Sequence, residues 1–265
     1  MSSGGSAELS FALEVCREAG VLALSHFQKG IEATLKEDGT PVTKADKACE
    51  RLIREAIAGQ FPHDDVLGEE EGETFSRSSG DPSGGAGRRK WVIDPIDGTY
   101  PYSRGIPIFS TLLALEEAGE IVLGVVHAPA VGDTFWAEAG GGAYKNGQRL
   151  SVSSCAESAR SQLNFGSTRR ILEKGLWDGF QRLVKHSCQQ RSYGDYLNFA
   201  YFLEGKSEAV LEVGVKPWDL APMKILAREA GGLYGDLEGG ESVYTGSCLI
   251  ANQHLFKEML ALLLG

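Results

Sequence analysis

The chain has no cysteine pair in Cys-x-x-Cys spacing; Cys16, Cys49, Cys155, Cys188 and Cys248 are scattered and odd in number. That excludes a zinc-type thiolate site and a disulfide framework, and it suits reduced thiols in a cytosol. The five histidines (His26, His63, His127, His186, His254) include no His-Glu-x-x-His pair, so a helical zinc site has no ligands. Positive charge is in deficit, 26 Lys and Arg against 36 Asp and Glu, for a formal charge of −10. This balance argues against a nucleic-acid backbone or an anionic membrane as principal partner. No apolar run approaches a membrane-spanning length, and even Leu260-Ala261-Leu262-Leu263-Leu264 is short and terminal. The start, Met1-Ser2-Ser3-Gly4-Gly5-Ser6, lacks the basic and apolar parts of a secretory signal, so a soluble, cytoplasmic protein is expected. Gly140-Gly141-Gly142 lacks the lysine of a phosphate-binding loop and reads as a turn.

What is present is ample core material. With 265 residues and 42% hydrophobic content, the chain can fill one large domain or two modest ones. Apolar spacing predicts helices over 9–29 and 45–57. Short strands are expected at 91–93, then at 110–115 and 121–127 around the turn Ala118-Gly119, at 134–139, and at 142–150 with a bend at Asn146-Gly147. A polar stretch, 151–161, precedes a second series: 162–166, a helix over 171–185, 198–203, 207–213, 220–230, 247–251 and a C-terminal helix starting near Gln253. The boundary near residue 155 divides an N-terminal α+β part (1–155) from a C-terminal α/β part (156–265). Residues 76–90, rich in Ser, Gly and Arg, read as a mobile surface loop.

The most informative segment is Asp94-Pro95-Ile96-Asp97-Gly98-Thr99, directly after the apolar Trp91-Val92-Ile93. Two carboxylates on a turn at a strand end offer hard oxygen ligands of the kind magnesium-dependent phosphate chemistry uses. Pro95 removes a ladder donor, Gly98 lets the main chain approach a ligand, and a chain curling into helix would bring residues three apart to one side. The alternating carboxylates of an EF-hand are missing. Other acids have competing structural readings. Thr43 with Asp46 fits a helix N-cap and its box partner. Asp219, after Trp218, fits an N-cap with Pro222 in the first turn. Glu69, in the charge run 69–73, fits a solvated face unless 64–67 is a strand that delivers it to a site.

Taken together, Pro41-Val42-Thr43-Lys44-Ala45-Asp46, Gly68-Glu69-Glu70, the stretch Trp91 to Thr99, and Trp218-Asp219-Leu220-Ala221 with Glu229-Ala230-Gly231-Gly232 resemble the inositol monophosphatase family in order and spacing over nearly the whole chain. The resemblance implies an α/β (α+β) fold, a layered α-β-α-β-α sandwich of the inositol monophosphatase and fructose-1,6-bisphosphatase type. It also implies a Mg2+-dependent phosphomonoesterase, with two or three ions per site, that forms a homodimer and acts on a small phosphorylated substrate. On this resemblance Glu69, Asp94 and the Ile96 carbonyl hold one ion, and Asp94, Asp97 and Asp219 a second. Asp46, Glu69 and Thr99 are the catalytic set, Asp46 and Thr99 orienting the attacking water, while Gly98 and Thr99 bind phosphate. The chain departs from many relatives at Pro101-Tyr102.

Within the family, Arg104-Gly105-Ile106-Pro107, the stretch Gly124 to Ala130, Gly140 to Tyr144, and above all Arg191-Ser192-Tyr193-Gly194-Asp195-Tyr196 resemble the histidinol-phosphate phosphatases. Arg191, Gly194, Asp195 and Glu212 are then the expected substrate contacts, the two acids facing an amine and imidazole. A structural pairing of Asp195 with Arg191 is the alternative. Inositol 1-phosphate or a broader range of sugar phosphates, a 3′,5′-bisphosphate nucleotide, and a non-catalytic family member stay open.

Overall fold

The computed structural model describes residues 5–27, 33–35, 41–76 and 88–265. In chain order, α1 (Ala7–Phe27) leads to β1 (Ala33–Leu35), β2 (Pro41–Thr43), α2 (Lys44–Gln60), β3 (Asp65–Gly68), β4 (Gly72–Thr74) and the long β5 (Arg89–Asp97). A single-turn α3 (Thr99–Ser103) precedes the meander β6 (Ser110–Glu117), β7 (Glu120–Ala128), β8 (Asp133–Glu138), β9 (Gly142–Lys145) and β10 (Gln148–Arg149). The second half holds β11 (Gln162–Phe165), α4 (Thr168–Glu173), α5 (Trp177–His186), β12 (Gln189–Arg191) and α6 (Asp195–Leu203). It closes with β13 (Ala209–Val213), α7 (Pro217–Glu229), β14 (Gly232–Asp236), β15 (Ser247–Asn252) and α8 (Phe256–Leu264).

Besides the β1-β2 pair, the described residues form two large sheets, with order β10-β9-β8-β7-β6-β5-β3-β4 in the first and β12-β11-β13-β15-β14 in the second. Strand alternation assigns their faces. From the first sheet, Trp91, Ile93, Leu113 and Leu115 pack with α1 and α2, while Val92, Leu112 and Ala114 turn to the other side and meet α6 and α7. Val210 and Ile250 of the second sheet close that middle layer. Their neighbours Ala209, Leu211, Leu249 and Ala251 face the outer layer formed by Ile171, Phe180, Leu183, Met259 and Leu263. The five layers are therefore helix, sheet, helix, sheet, helix, the sandwich expected from the sequence. The first sheet ends at Arg149 and the second begins at Gln162. The middle core draws on both, so the two parts share their packing.

Two aromatic clusters anchor the strand and turn that carry the acid motif. The Trp91 ring lies 5.5 Å from Phe11 and 5.3 Å from Phe61, fixing β5 to the helical layer. Tyr102, from the departing Pro101-Tyr102 pair, stacks edge-on to Phe109 at 4.8 Å and donates its hydroxyl to Ala23 O at 2.8 Å. The divergent residue is thus a buried peg for α3.

Several sequence expectations shift. The helix expected over 171–185 is two helices, because Gly175 takes a left-handed φ of 73° and its N–H and that of Leu176 cap Leu172 O and Ile171 O at 3.0 Å. The last helix starts at Phe256 rather than near Gln253, since Asn252 Oδ1 accepts the N–H groups of His254 and Leu255 and holds them in a turn. Pro217 opens α7, which leaves Pro222 in the second turn, its backbone against Gly124, where a Cβ would meet it at 2.8 Å. Residues 77–87 of the expected loop over 76–90 lie outside the described residues. No helix among the described residues is long and apolar enough to cross a membrane.

Candidate active site

The acid motif sits at the end of β5. Strict alternation would send Asp94 and Asp97 to opposite faces of the sheet. The pairing with β6 slips between Asp94↔Leu112 and Asp97↔Ser110, so two residues of β5 oppose Thr111 alone. This bulge turns both carboxylates to one side, and Thr111 Oγ1 donates to Pro95 O at 3.0 Å across it. A helical curl was the sequence expectation; the device is a β-bulge, made possible by a proline that has no ladder N–H to lose. Gly98, at φ 83°, then turns the chain into α3, and a Cβ there would stand 2.7 Å from Ile108 O.

Helix α7 brings the third acid. Asp219 is not the N-cap expected from sequence: Lys216 takes that place, and Asp219, three residues further on, accepts the Lys216 N–H through Oδ2 at 2.7 Å. Its side chain also joins Asp94 and Asp97, with one carboxylate oxygen from each within 4.8 Å of the others. Asp97 Oδ2 accepts the Tyr196 N–H at 2.8 Å. Glu69, at the end of β3, lines the same cavity as Ile96, Gly98 and Thr99, and its N–H donates to Ile93 O at 3.3 Å. Asp46 is fully buried behind Thr99, whose Oγ1 lies 3.2 Å from Asp46 Oδ1 and 3.0 Å from Ile96 O. Asp46 Oδ2 accepts both the N–H (2.8 Å) and the hydroxyl (2.5 Å) of Thr43. The capping box is present and the acid also reaches Thr99, so the cap uses one carboxylate oxygen and leaves the other toward Thr99.

Burial followed by the charges of Glu69, Asp97 and Asp219 pushes Asp94 well above the usual carboxylate range. Asp97 is raised for the same first reason, with Asp195 and Asp219 adding repulsion. Burial also raises Asp219, against the Lys216 N–H that holds it down, and burial raises Asp46. Among the described residues, Asp94 Oδ1 is buried with no hydrogen-bond partner. Crowded hard oxygens, one of them unsatisfied, are the donor set a divalent cation relieves, and these residues fit Mg2+ by ligand chemistry.

The cavity, about 810 Å³, extends from this cluster to Gly194, Asp195 and Glu212. Asp195 has a left-handed φ of 49° and burial raises it to about 6, with the Arg170 charge opposing. Glu212 is raised to about 7, again by burial first, and Asn198 Nδ2 donates to its Oε1 at 2.9 Å. Arg191 is exposed, outside the cavity lining, with its guanidinium donating to Gln190 O at 2.8 Å. The basic residue facing Asp195 is Arg170 instead, on α4. Sequence reading missed Arg170, whose signal was the polar run Ser167-Thr168-Arg169-Arg170 after Gly166. It also missed Asn198, which hides in an apolar helix.

The sequence pattern of the inositol monophosphatase family matches residues 6–264. The chain is 35% identical over 256 residues to the histidinol-phosphatase of Chlorobaculum parvum, covering 96% of this chain and 95% of that one. It is 36% identical over 259 residues to the histidinol-phosphatase of Mycobacterium tuberculosis, 96% of each. Among solved structures, the Thermotoga maritima IMPase superposes with a TM-score of 0.84 at 32% identity, over 97% of both chains. The likeness thus runs from end to end in both sequence and fold, and the chain belongs to the inositol monophosphatase family.

Proposed function

We propose that the protein is a magnesium-dependent phosphomonoester hydrolase whose substrate is histidinol phosphate. The observation that carries the metal dependence is the buried, unpartnered Asp94 Oδ1 among acids that raise one another. Glu69, Asp94 and the Ile96 carbonyl would hold one ion, and Asp94, Asp97 and Asp219 another. Bound Mg2+ lowers the pKa of water and neutralises phosphate oxygens.

The chain's own groups do the positioning. When Thr99 donates its hydroxyl hydrogen to Asp46 Oδ1, its lone pairs remain to accept from a water and orient it for in-line attack. Thr43 holds Asp46 for this task through two hydrogen bonds. The N–H groups of Gly98 and Thr99, at the turn beyond the bulge, are offered to the phosphate. On the leaving-group side, Asp195 and Glu212 are acids whose ionisation burial disfavours, and a cationic amine or imidazolium there restores their charge. Two histidinol-phosphatases among the similar proteins support this choice; the solved IMPase supports inositol 1-phosphate as the second reading. A cytoplasmic setting agrees with five free cysteines, and a homodimer with the family resemblance.

The test is phosphate release from histidinol phosphate and inositol 1-phosphate, with and without Mg2+, for the wild type and Asp195→Asn. Asn accepts the left-handed backbone at position 195 as readily as Asp, so the variant removes charge without adding strain. The expected result is Mg2+-dependent release that prefers the amine, with the preference lost in the variant. An unchanged preference refutes recognition by Asp195, and absence of Mg2+-dependent release from either ester refutes the reaction.

A further inference from the structure

Glu50 is a charged residue with a side chain fully withdrawn from solvent, on the same face of α2 as Asp46 and one turn further on. Its carboxylate takes no part in the cluster described above. Oε2 accepts the N–H of Glu70 at 2.7 Å, and Oε1 accepts the N–H of Glu71 at 3.0 Å and Arg54 Nε at 2.8 Å. Arg54 in turn donates to Gly72 O at 2.5 Å and to Thr74 Oγ1 at 3.1 Å. The pair thus grips the turn between β3 and β4 from beneath. A Cβ on Gly68 would collide with Glu50 Oε1, so the glycine before Glu69 is what lets the acid reach the turn.

Glu69 stands at the head of that turn. Behind it, the parallel pairing of β3 with β5 ends at Gly68↔Ile93, one residue before Asp94. Ahead of it, the next two N–H groups end on Glu50. We infer that Glu50 is a positioning residue that sets Glu69 against Asp94, so that α2 places two parts of the site, Asp46 under Thr99 and the turn carrying Glu69. A buried carboxylate is an expensive fastening for a plain hairpin staple, since each ion taken out of water must recover its hydration. The backbone it fixes belongs to a proposed metal ligand. The inference rests on the metal reading given above.

The experiment is calorimetric titration of Mg2+ into the full chain, alongside thermal unfolding in EDTA. Glu50→Gln keeps one acceptor oxygen and sets an NH2 against a donor, so one turn N–H loses its partner. Loss of such a supporting contact is expected to weaken Mg2+ binding about 10- to 100-fold. Activity should recover at saturating Mg2+, moving the activation constant more than kcat. Glu50→Asp keeps a charge beside Arg54 and withdraws it by one methylene; it should weaken Mg2+ in the same direction even if the first variant folds poorly. Ile53→Val, fully buried on the same helix, is the control: it lowers the Tm and leaves Mg2+ affinity alone. Wild-type Mg2+ affinity in both Glu50 variants, with only the Tm lowered, overturns the inference and leaves a structural staple. If the wild type binds no Mg2+, or Asp94→Asn binds it equally well, the metal reading fails and this inference falls with it.

Discussion

Replacing Glu212 by Gln should make the metal-free protein more stable above neutral pH. Glu212 is buried, has one hydrogen bond from Asn198, and is raised from 4.5 to about 7 by burial, with Asp195 and Asp219 adding to the rise. An acid raised in the folded state contributes stability that is complete below its unfolded pKa and is lost as pH climbs through the folded value, here from 4.5 to about 7. At about 1.4 kcal/mol per pH unit, the loss is about 3 kcal/mol. Gln has the same shape, keeps an oxygen for Asn198 and carries no charge to lose. The variant should therefore exceed wild type by about 3 kcal/mol at about pH 8, a Tm gain of about 5–10 °C for a chain of this length. The gain should vanish near pH 4 or below. Scanning calorimetry in EDTA at both pH values measures it, the chelator removing the separate stabilisation a bound cation would give. A difference between variant and wild type that is the same at both pH values would refute the idea that burial holds Glu212 neutral. The same variant should bind a cationic substrate more weakly, so the gain in stability accompanies a loss of recognition.

Asp94→Asn should abolish Mg2+-dependent phosphate release while leaving a folded protein. In EDTA it should unfold at higher temperature than wild type above neutral pH, since it removes one of several mutually repelling buried acids; near-wild-type turnover would remove the metal assignment. Gly98→Ala forces a side chain into a left-handed φ of 83° and toward Ile108 O. It should destabilise by about 1–3 kcal/mol in urea unfolding. An unchanged midpoint would show that this turn relaxes freely.

Much of the site was legible because metal chemistry restricts residue types locally. The run from Asp94 to Thr99 could be read as an acid turn from its own six residues, and Thr43 with Asp46 as a cap from a spacing of three. The alternation of Trp91, Val92 and Ile93 between two cores follows from strand period alone. Errors arose where a single residue redirected the chain. Gly175 split a helix whose apolar spacing ran on past it, and Asn252 delayed α8 with its own side chain. Arg191 comes with the family resemblance of the stretch that carries Asp195, yet at the end of β12 its side chain is exposed, while Arg170 lines the cavity from α4.

By itself, then, the sequence pointed to the acids of the candidate site and, through the family resemblance, implied the layered class, since hard carboxylates at strand and helix ends are local properties and the motifs keep their order along the chain. Tertiary structure decided everything that depends on convergence. It took the bulge at Pro95 and Ile96 to bring Asp94 and Asp97 to one side, and the packing of α7 across the middle layer to deliver Asp219 from more than a hundred residues away. It also raised the acids: Glu212 is an ordinary glutamate in the sequence and an acid at about 7 in the fold, because only burial removes the water that would hold its charge.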